Sequence, residues 1–232
     1  MGRATTPIAM TPSRVPLHLA MLMLLGGLFF FWGLGSMGLT DRDEGRNAEA
    51  GREMLESGDW ISPTFNYEPR YAKPALVYWL MSGSYRLFGV NEMAARLPSA
   101  VFGLGLVLMT YGFVARVRDP ITALISALIL LLNAEIISLS RMALTDSVLI
   151  FCTTLSLYAF WLGFQATGQR GWLWLFYIGM ALGTLAKGPI GFLIPLVTIA
   201  LYLTMTTQWM SFWQQGRPLA GTILFAVLAL PW

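Results

Sequence analysis

The sequence predicts an all-α, polytopic membrane protein, and three observations carry that reading. Only 12% of the 232 residues are charged and 56% are hydrophobic, with a mean hydropathy of +0.62. A soluble domain carries roughly 25% charged residues. The apolar residues gather into runs of about 20, the length a helix needs to cross a bilayer. Lys and Arg then alternate between the segments that separate those runs.

Taken in order, spans are expected near 17–39, 97–115, 120–139, 144–166, 171–187 and 189–207. A further run starts near 218 and is still short of a full span at Trp232, so the sequence reads as the N-terminal part of a larger transmembrane domain. No small-residue cleavage site follows the first run, which is therefore a span rather than a signal peptide. Residues 75–90, "ALVYWLMSGSYRLFGV", are apolar but short and contain Arg86, the pattern of a re-entrant or interfacial helix. With the N-terminus in the cytoplasm, Arg3, Arg14, Arg116, Arg118, Arg170 and Arg217 all fall inside, accompanied by one acid, Asp119. The opposite side receives the long loop 40–96, the turn from Arg141 to Asp146, and Lys187.

The loop 40–96 holds the densest charge in the chain, nine acids and seven bases. Thr40 with Asp43 fits a helix-capping signature, and a helix over 42–56 follows. Ala48, Gly51, Met54 and Leu55 lie along one side of it, with Asn47, Glu49, Arg52, Glu53 and Glu56 on the others, Glu53 on a solvated face. Gly58 stops it. "SPTFNYEPRYAKP" is a loop punctuated by Pro63, Pro69 and Pro74. The net charge of +3 leaves no nucleic-acid footprint, and the lone Cys152 excludes an intrachain disulfide. With one cysteine and one histidine, His18, no Cys/His metal cluster can form.

Four polar sites then share one membrane face: Asp43–Glu44, Lys73, Arg141–Asp146 and Lys187. Ionisable groups at a membrane boundary are costly and often functional. Each also has a plain structural reading. Asp43 and Asp146 can cap helices, Glu44 and Arg46 can form a solvated face, and Lys73 can anchor at headgroup level. Lys187 can snorkel to the interface. Glu135 inside a predicted span either pairs within the bundle or marks a shifted boundary. Trp172, Trp174 and Tyr177 fit an aromatic belt. A transporter would place polar groups near mid-bilayer, and a purely structural subunit would not need acidic and basic motifs gathered on one side.

The stretch "DRDEGRNAEAGREMLESGDWISPTFNYEPRYAKPALVYWL", followed by "GVNEMAARLPSA", "RMALTDSVLIF" and "LAKGPIGFLIPL", resembles the polyprenyl-phosphate-dependent membrane glycosyltransferases of the GT-C fold. It is similar in particular to lipid A aminoarabinose transferases and to protein-mannosyltransferase-like members. The resemblance covers roughly residues 28–232. It implies a GT-C-like helical bundle with a juxtamembrane helix in its extracytoplasmic loop. The implied activity is transfer of a sugar, with inversion, from a polyprenyl-phosphate donor to a lipid, glycan or protein acceptor. The enzyme would sit in a bacterial inner membrane with its active face periplasmic. The resemblance implies catalytic roles for Asp43 and Asp146, and substrate binding by Glu44, Arg46, Lys73, Arg141 and Lys187. Lys73 would meet the donor's phosphate, with Arg46 or Arg141 helping. Segment 75–90 would line the lipid entrance. In the aminoarabinose enzymes a glutamate precedes that lysine and helps bind a divalent metal. Here Ala72 stands in its place, so weak or no dependence on a tightly bound divalent ion is expected at this motif. Family members continue with further spans, so the portion 1–232 alone is expected not to transfer sugar.

Overall fold

A computed structural model describes residues 14–165 and 171–231; Arg3, Arg170 and Trp232 lie outside the described residues. The described residues form a bundle of helices with one two-stranded hairpin. Helix α1 (Val15–Gly26) runs into a π-helical turn, Gly27–Phe31. Helix α2 (Arg42–Ser57) follows, then the hairpin of β1 (Thr64–Phe65) and β2 (Glu68–Pro69). Next come α3 (Leu76–Phe88), α4 (Glu92–Val117), α5 (Pro120–Leu131), α6 (Ala134–Ser140) and α7 (Asp146–Phe164). The chain continues through α8 (Trp172–Lys187), α9 (Ile190–Thr206), α10 (Trp209–Gln215) and α11 (Pro218–Ala229). Helices α4 and α7 are long and apolar enough to cross a membrane, and α5 with α6 would make a third, broken span.

Three departures from the sequence reading have local causes. The predicted continuous span 120–139 breaks by 65° between α5 and α6. Asn133 adopts an extended backbone there, and its Oδ1 accepts from the Glu135 and Ile136 amides. A good N-cap thus starts a new helix inside an apolar run. Glu135 is exposed in the first turn of α6, which is the shifted-boundary alternative. The cap of α2 is Asp41 rather than Thr40. Asp41 Oδ1 accepts from the Asp43 amide at 2.7 Å, while Glu44 reaches back to the Thr40 amide. Tyr177 does not join an aromatic belt. It is buried and donates to the Gly216 carbonyl, and Gly221 leaves room for its ring: a Cβ there would lie 2.0 Å from it.

Helix α4 organises the packing. Its Ala100, Val107 and Tyr111 meet α1 and α5 around Leu22, Phe30 and Leu131. Its Ala94 and Ala95 join a second cluster with Ala48 of α2, Val77 and Met81 of α3, Ala143, Val148 of α7 and Ala186 of α8. Small residues at these contacts let helix backbones approach closely, which drives helix association in a lipid solvent. Helices α8 and α9 meet backbone to backbone, where a Cβ on Gly191 would sit 2.0 Å from the Gly183 backbone. Gly188, at φ +77°, closes the turn between them and fixes where Lys187 emerges.

Candidate active site

The second cluster carries the charged groups at one of its ends. Asp43 lies in the first turn of α2. Lys73, just before α3, donates from Nζ to Asp43 Oδ2 at 2.9 Å. Arg46, one turn along α2, lies 3.8 Å from the other Asp43 oxygen. The hydrogen bond and charge of Lys73 hold the Asp43 carboxyl below its ordinary range, with Arg46 and Arg70 adding to the effect and slight burial opposing it. Asp146 opens α7, and Lys187, the last residue of α8, donates to its Oδ1 at 2.6 Å.

Two contacts bring these pairs to the same region. Asn47 donates from Nδ2 to the Ala143 carbonyl at 3.1 Å, and Ala143 donates its amide to Glu44 Oε1 at 2.8 Å. Helix α2 is thereby clamped to the turn that precedes Asp146. Ala186, next to Lys187, packs in the same cluster as Ala48 and Ala143. Asn47 Oδ1, Thr145 Oγ1 and Ser147 Oγ are buried there without a hydrogen-bond partner among the described residues.

Glu44 is not on a solvated face; it is fully buried. Its carboxylate accepts from Arg96 Nε at 2.8 Å and Nη2 at 3.1 Å, besides the Ala143 and Thr40 amides. Burial pushes the carboxyl upward, but the hydrogen bonds from Arg96 and Ala143 outweigh it and hold the group below its usual range. Arg96 completes its set on the carbonyls of Leu34, Met37 and Gly38. All five of its N–H donors are therefore used. Sequence reasoning passed over this residue. The available signal was an arginine at the start of an apolar helix, which must find partners.

Arg141 also serves backbone. Its Nη1 donates to the carbonyls of Phe29 and Trp32, which the π-turn releases at the end of α1. With Arg96, Glu44 and Ser138 it lines a cleft of about 230 Å³ beside that helix end. Glu53, expected on a solvated face, is buried instead. It accepts from Thr64 Oγ1 at 2.6 Å and from the Tyr67 amide. The hairpin folds over α2 and covers it. Ala72 is exposed and its side chain offers no ligand atom, and no three of His, Cys, Asp and Glu come together among the described residues. Position 72 thus supplies no side-chain ligand for the divalent metal that the family resemblance implies.

The helical bundle, with its charged α2 and its two lysine–carboxylate pairs, belongs with the GT-C class of membrane proteins. The fold matches the crystal structure of ArnT from Cupriavidus metallidurans bound to undecaprenyl phosphate, with TM-score 0.86 and 26% identity, over 96% of this chain and 41% of that one. An oligosaccharyltransferase from Archaeoglobus fulgidus shares the fold at TM-score 0.67 and 16% identity, over 82% of this chain and 25% of that one. Residues 20–232 match the family described as dolichyl-phosphate-mannose-protein mannosyltransferase (PMT), and the chain belongs to that family. It is 33% identical over 223 residues to the undecaprenyl phosphate-alpha-4-amino-4-deoxy-L-arabinose arabinosyl transferase of Pseudomonas aeruginosa. That alignment takes in 92% of this chain and 39% of the relative. The chain thus spans about two fifths of the length of such relatives, and it is a multi-pass membrane protein.

Proposed function

We propose that this chain supplies the donor-binding and catalytic region of an inverting glycosyltransferase. The enzyme would move a sugar from a polyprenyl-phosphate carrier to an extracytoplasmic acceptor such as lipid A. The observation that carries this reading is the open Asp43–Lys73 pair beside a membrane span, in a chain whose relatives include undecaprenyl-phosphate sugar transferases. Breaking the sugar–phosphate bond leaves negative charge on the phosphate and positive charge on the sugar. Lys73, a compact cation on a flexible stem, would leave Asp43 and neutralise that phosphate. Asp43 is then released on the sugar side. A hydroxyl acceptor needs a base within hydrogen-bond reach, and Asp43 would be that base. A lipid A phosphate is already ionised, and Asp43 would then orient the reacting groups. Asp146, held by Lys187, would position the acceptor or sugar from the α7 side. The family's protein mannosyltransferase name supports one second reading, hexose transfer to protein. No step is assigned to a metal.

The N-terminus would lie in the cytoplasm and loop 40–96 in the periplasm of a bacterial inner membrane, as the Lys/Arg asymmetry suggests. In a Cys152→Ser background, a cysteine at Ser62 should label from outside with an impermeant reagent and one at Gln215 only after permeabilisation. The reverse pattern would overturn the orientation. Function is tested with membranes containing the full-length protein and radiolabelled undecaprenyl-phosphate sugars. Transfer to lipid A or protein that is lost in Lys73→Ala supports the proposal. Uptake of solute into vesicles without sugar transfer would replace it with a transporter.

A further inference from the structure

Several cations near the site are already committed. Arg96 is saturated, Arg141 Nη1 holds two carbonyls, and Arg52 is paired with Glu49 and Glu56. Arg70 differs. Its guanidinium lies 5.5 Å from the centroid of the Phe65 ring, and its Nε donates to Tyr78 Oη at 3.3 Å. Among the described residues its terminal nitrogens donate to no protein acceptor and form no salt bridge. The side chain is gripped on one face and one edge, and its fork is left open, three residues from Lys73. Its charge also contributes to lowering the Asp43 pKa, so it lies within electrostatic reach of the same carboxylate.

The grip has an evident framework. Phe65 belongs to the hairpin, whose two-residue loop places both Asn66 (φ 55°) and Tyr67 (φ 61°) in the left-handed region. That is the backbone a tight type I′ hairpin requires, and it is unfavourable for tyrosine. Buried Glu53 holds it by accepting from the Tyr67 amide and from Thr64 Oγ1. Tyr78, fully buried in α3, fixes the other side. Buried acid, strained turn, aromatic ring and tyrosine hydroxyl all lead to one preset guanidinium.

We propose that Arg70 and Lys73 together form the anion site for the phosphate of the polyprenyl carrier, and that the Glu53-anchored hairpin exists to hold Arg70 in place. This rests on the donor reading above and names a residue that reading did not contain. A planar fork suits a phosphate bidentately, and a guanidinium gripped in advance loses little freedom on binding. Lys73 would supply the movable charge and Arg70 the fixed one.

The test measures binding of undecaprenyl phosphate, with undecaprenol as the uncharged control, to the full-length protein in detergent. Arg70→Gln should weaken undecaprenyl phosphate binding by about tenfold to a hundredfold, the loss expected for a charge-assisted contact. Undecaprenol binding should not change. Arg70→Lys should fall between. Tyr78→Phe, which removes only the hydroxyl that accepts from Nε, should cost a few-fold in the native background and nothing when Arg70→Gln is present. Equal losses for both lipids would show a structural role and overturn the proposal. So would undecaprenyl phosphate affinity within twofold of native in Arg70→Gln. If Lys73→Ala alone weakens binding, the donor site stands and the Arg70 assignment falls. If neither variant weakens it, both readings fall together.

Discussion

Asp43 and Glu44 are adjacent carboxylates in the same first turn of α2, and their surroundings are opposite. Asp43 keeps 46% of its side chain exposed and shares one lysine, itself 19% exposed, with water. Glu44 has no exposure, and its partner Arg96 has 7%. One residue of helix turns the side chain by about 100°, enough to leave one acid partly exposed and bury the other. The open pair can exchange partners when an anion arrives. The closed pair cannot, because every donor of Arg96 and both oxygens of Glu44 already have partners. The proposed chemistry uses the unsaturated pair, and the saturated one holds α2 in position.

The comparison can be broken most severely from the closed side. Arg96→Met should destabilise the purified full-length protein by about 3–5 kcal/mol, the cost of leaving a buried charge unpaired. It also strands the carbonyls of Leu34, Met37 and Gly38. Adding Glu44→Gln should therefore recover only part of the loss, as read from thermal unfolding. From the open side, Asp43→Asn and Lys73→Ala should each lower sugar transfer by on the order of 100-fold or more. Their melting temperatures should stay close to native, since the pair is partly exposed. A native rate in Asp43→Asn would reduce that residue to a helix-terminus charge.

Acid sharpens the contrast. Both carboxyls are held below their ordinary values. Their contribution to stability is therefore complete above the unfolded pKa of about 4 and is lost as pH falls through the lower folded values. Melting temperature should be flat from pH 7 to about 5 and fall below about 4, less steeply in Glu44→Gln. The smallest effects lie farther along α2. Glu53→Gln should cost about 1–3 kcal/mol, because a buried acceptor of two donors is weakened. Exposed Glu56→Gln should stay within about 0.5 kcal/mol.

Much of this arrangement was legible in the sequence, because local pattern and length determine it. The helix over 42–56, the short helix over 75–90 and the apolar helices beyond it all follow from periodicity and run length. The grouping of Asp43, Lys73, Asp146 and Lys187 followed from counting turns between apolar runs. The remainder depends on contacts that no local pattern encodes. Glu44 meets Arg96 across 52 residues and Ala143 across 99. Glu53 looked solvated because the hairpin that covers it lies 11 residues away. Asn133 was hidden by its apolar neighbours, although a capping residue inside a run is itself a break signal. Arg70 lies in a proline-punctuated loop, and nothing in its local pattern shows that Phe65 and Tyr78 hold it.

The closed pair also sets an order of events during synthesis. Glu44 leaves the ribosome early, Arg96 follows, and the Ala143 amide that completes the carboxylate's partners comes almost 50 residues after Arg96. At about 5–20 residues per second, that interval lasts on the order of several seconds. During it the turn after α1 has no complete fastening, and the clamp between α2 and the approach to α7 does not exist. The contacts that dock α2 through Glu44 and Asn47 form only when Ala143 arrives. The segment that clamps α2 is thus also the one that delivers Asp146, while the Lys187 that pairs with Asp146 follows 41 residues later still.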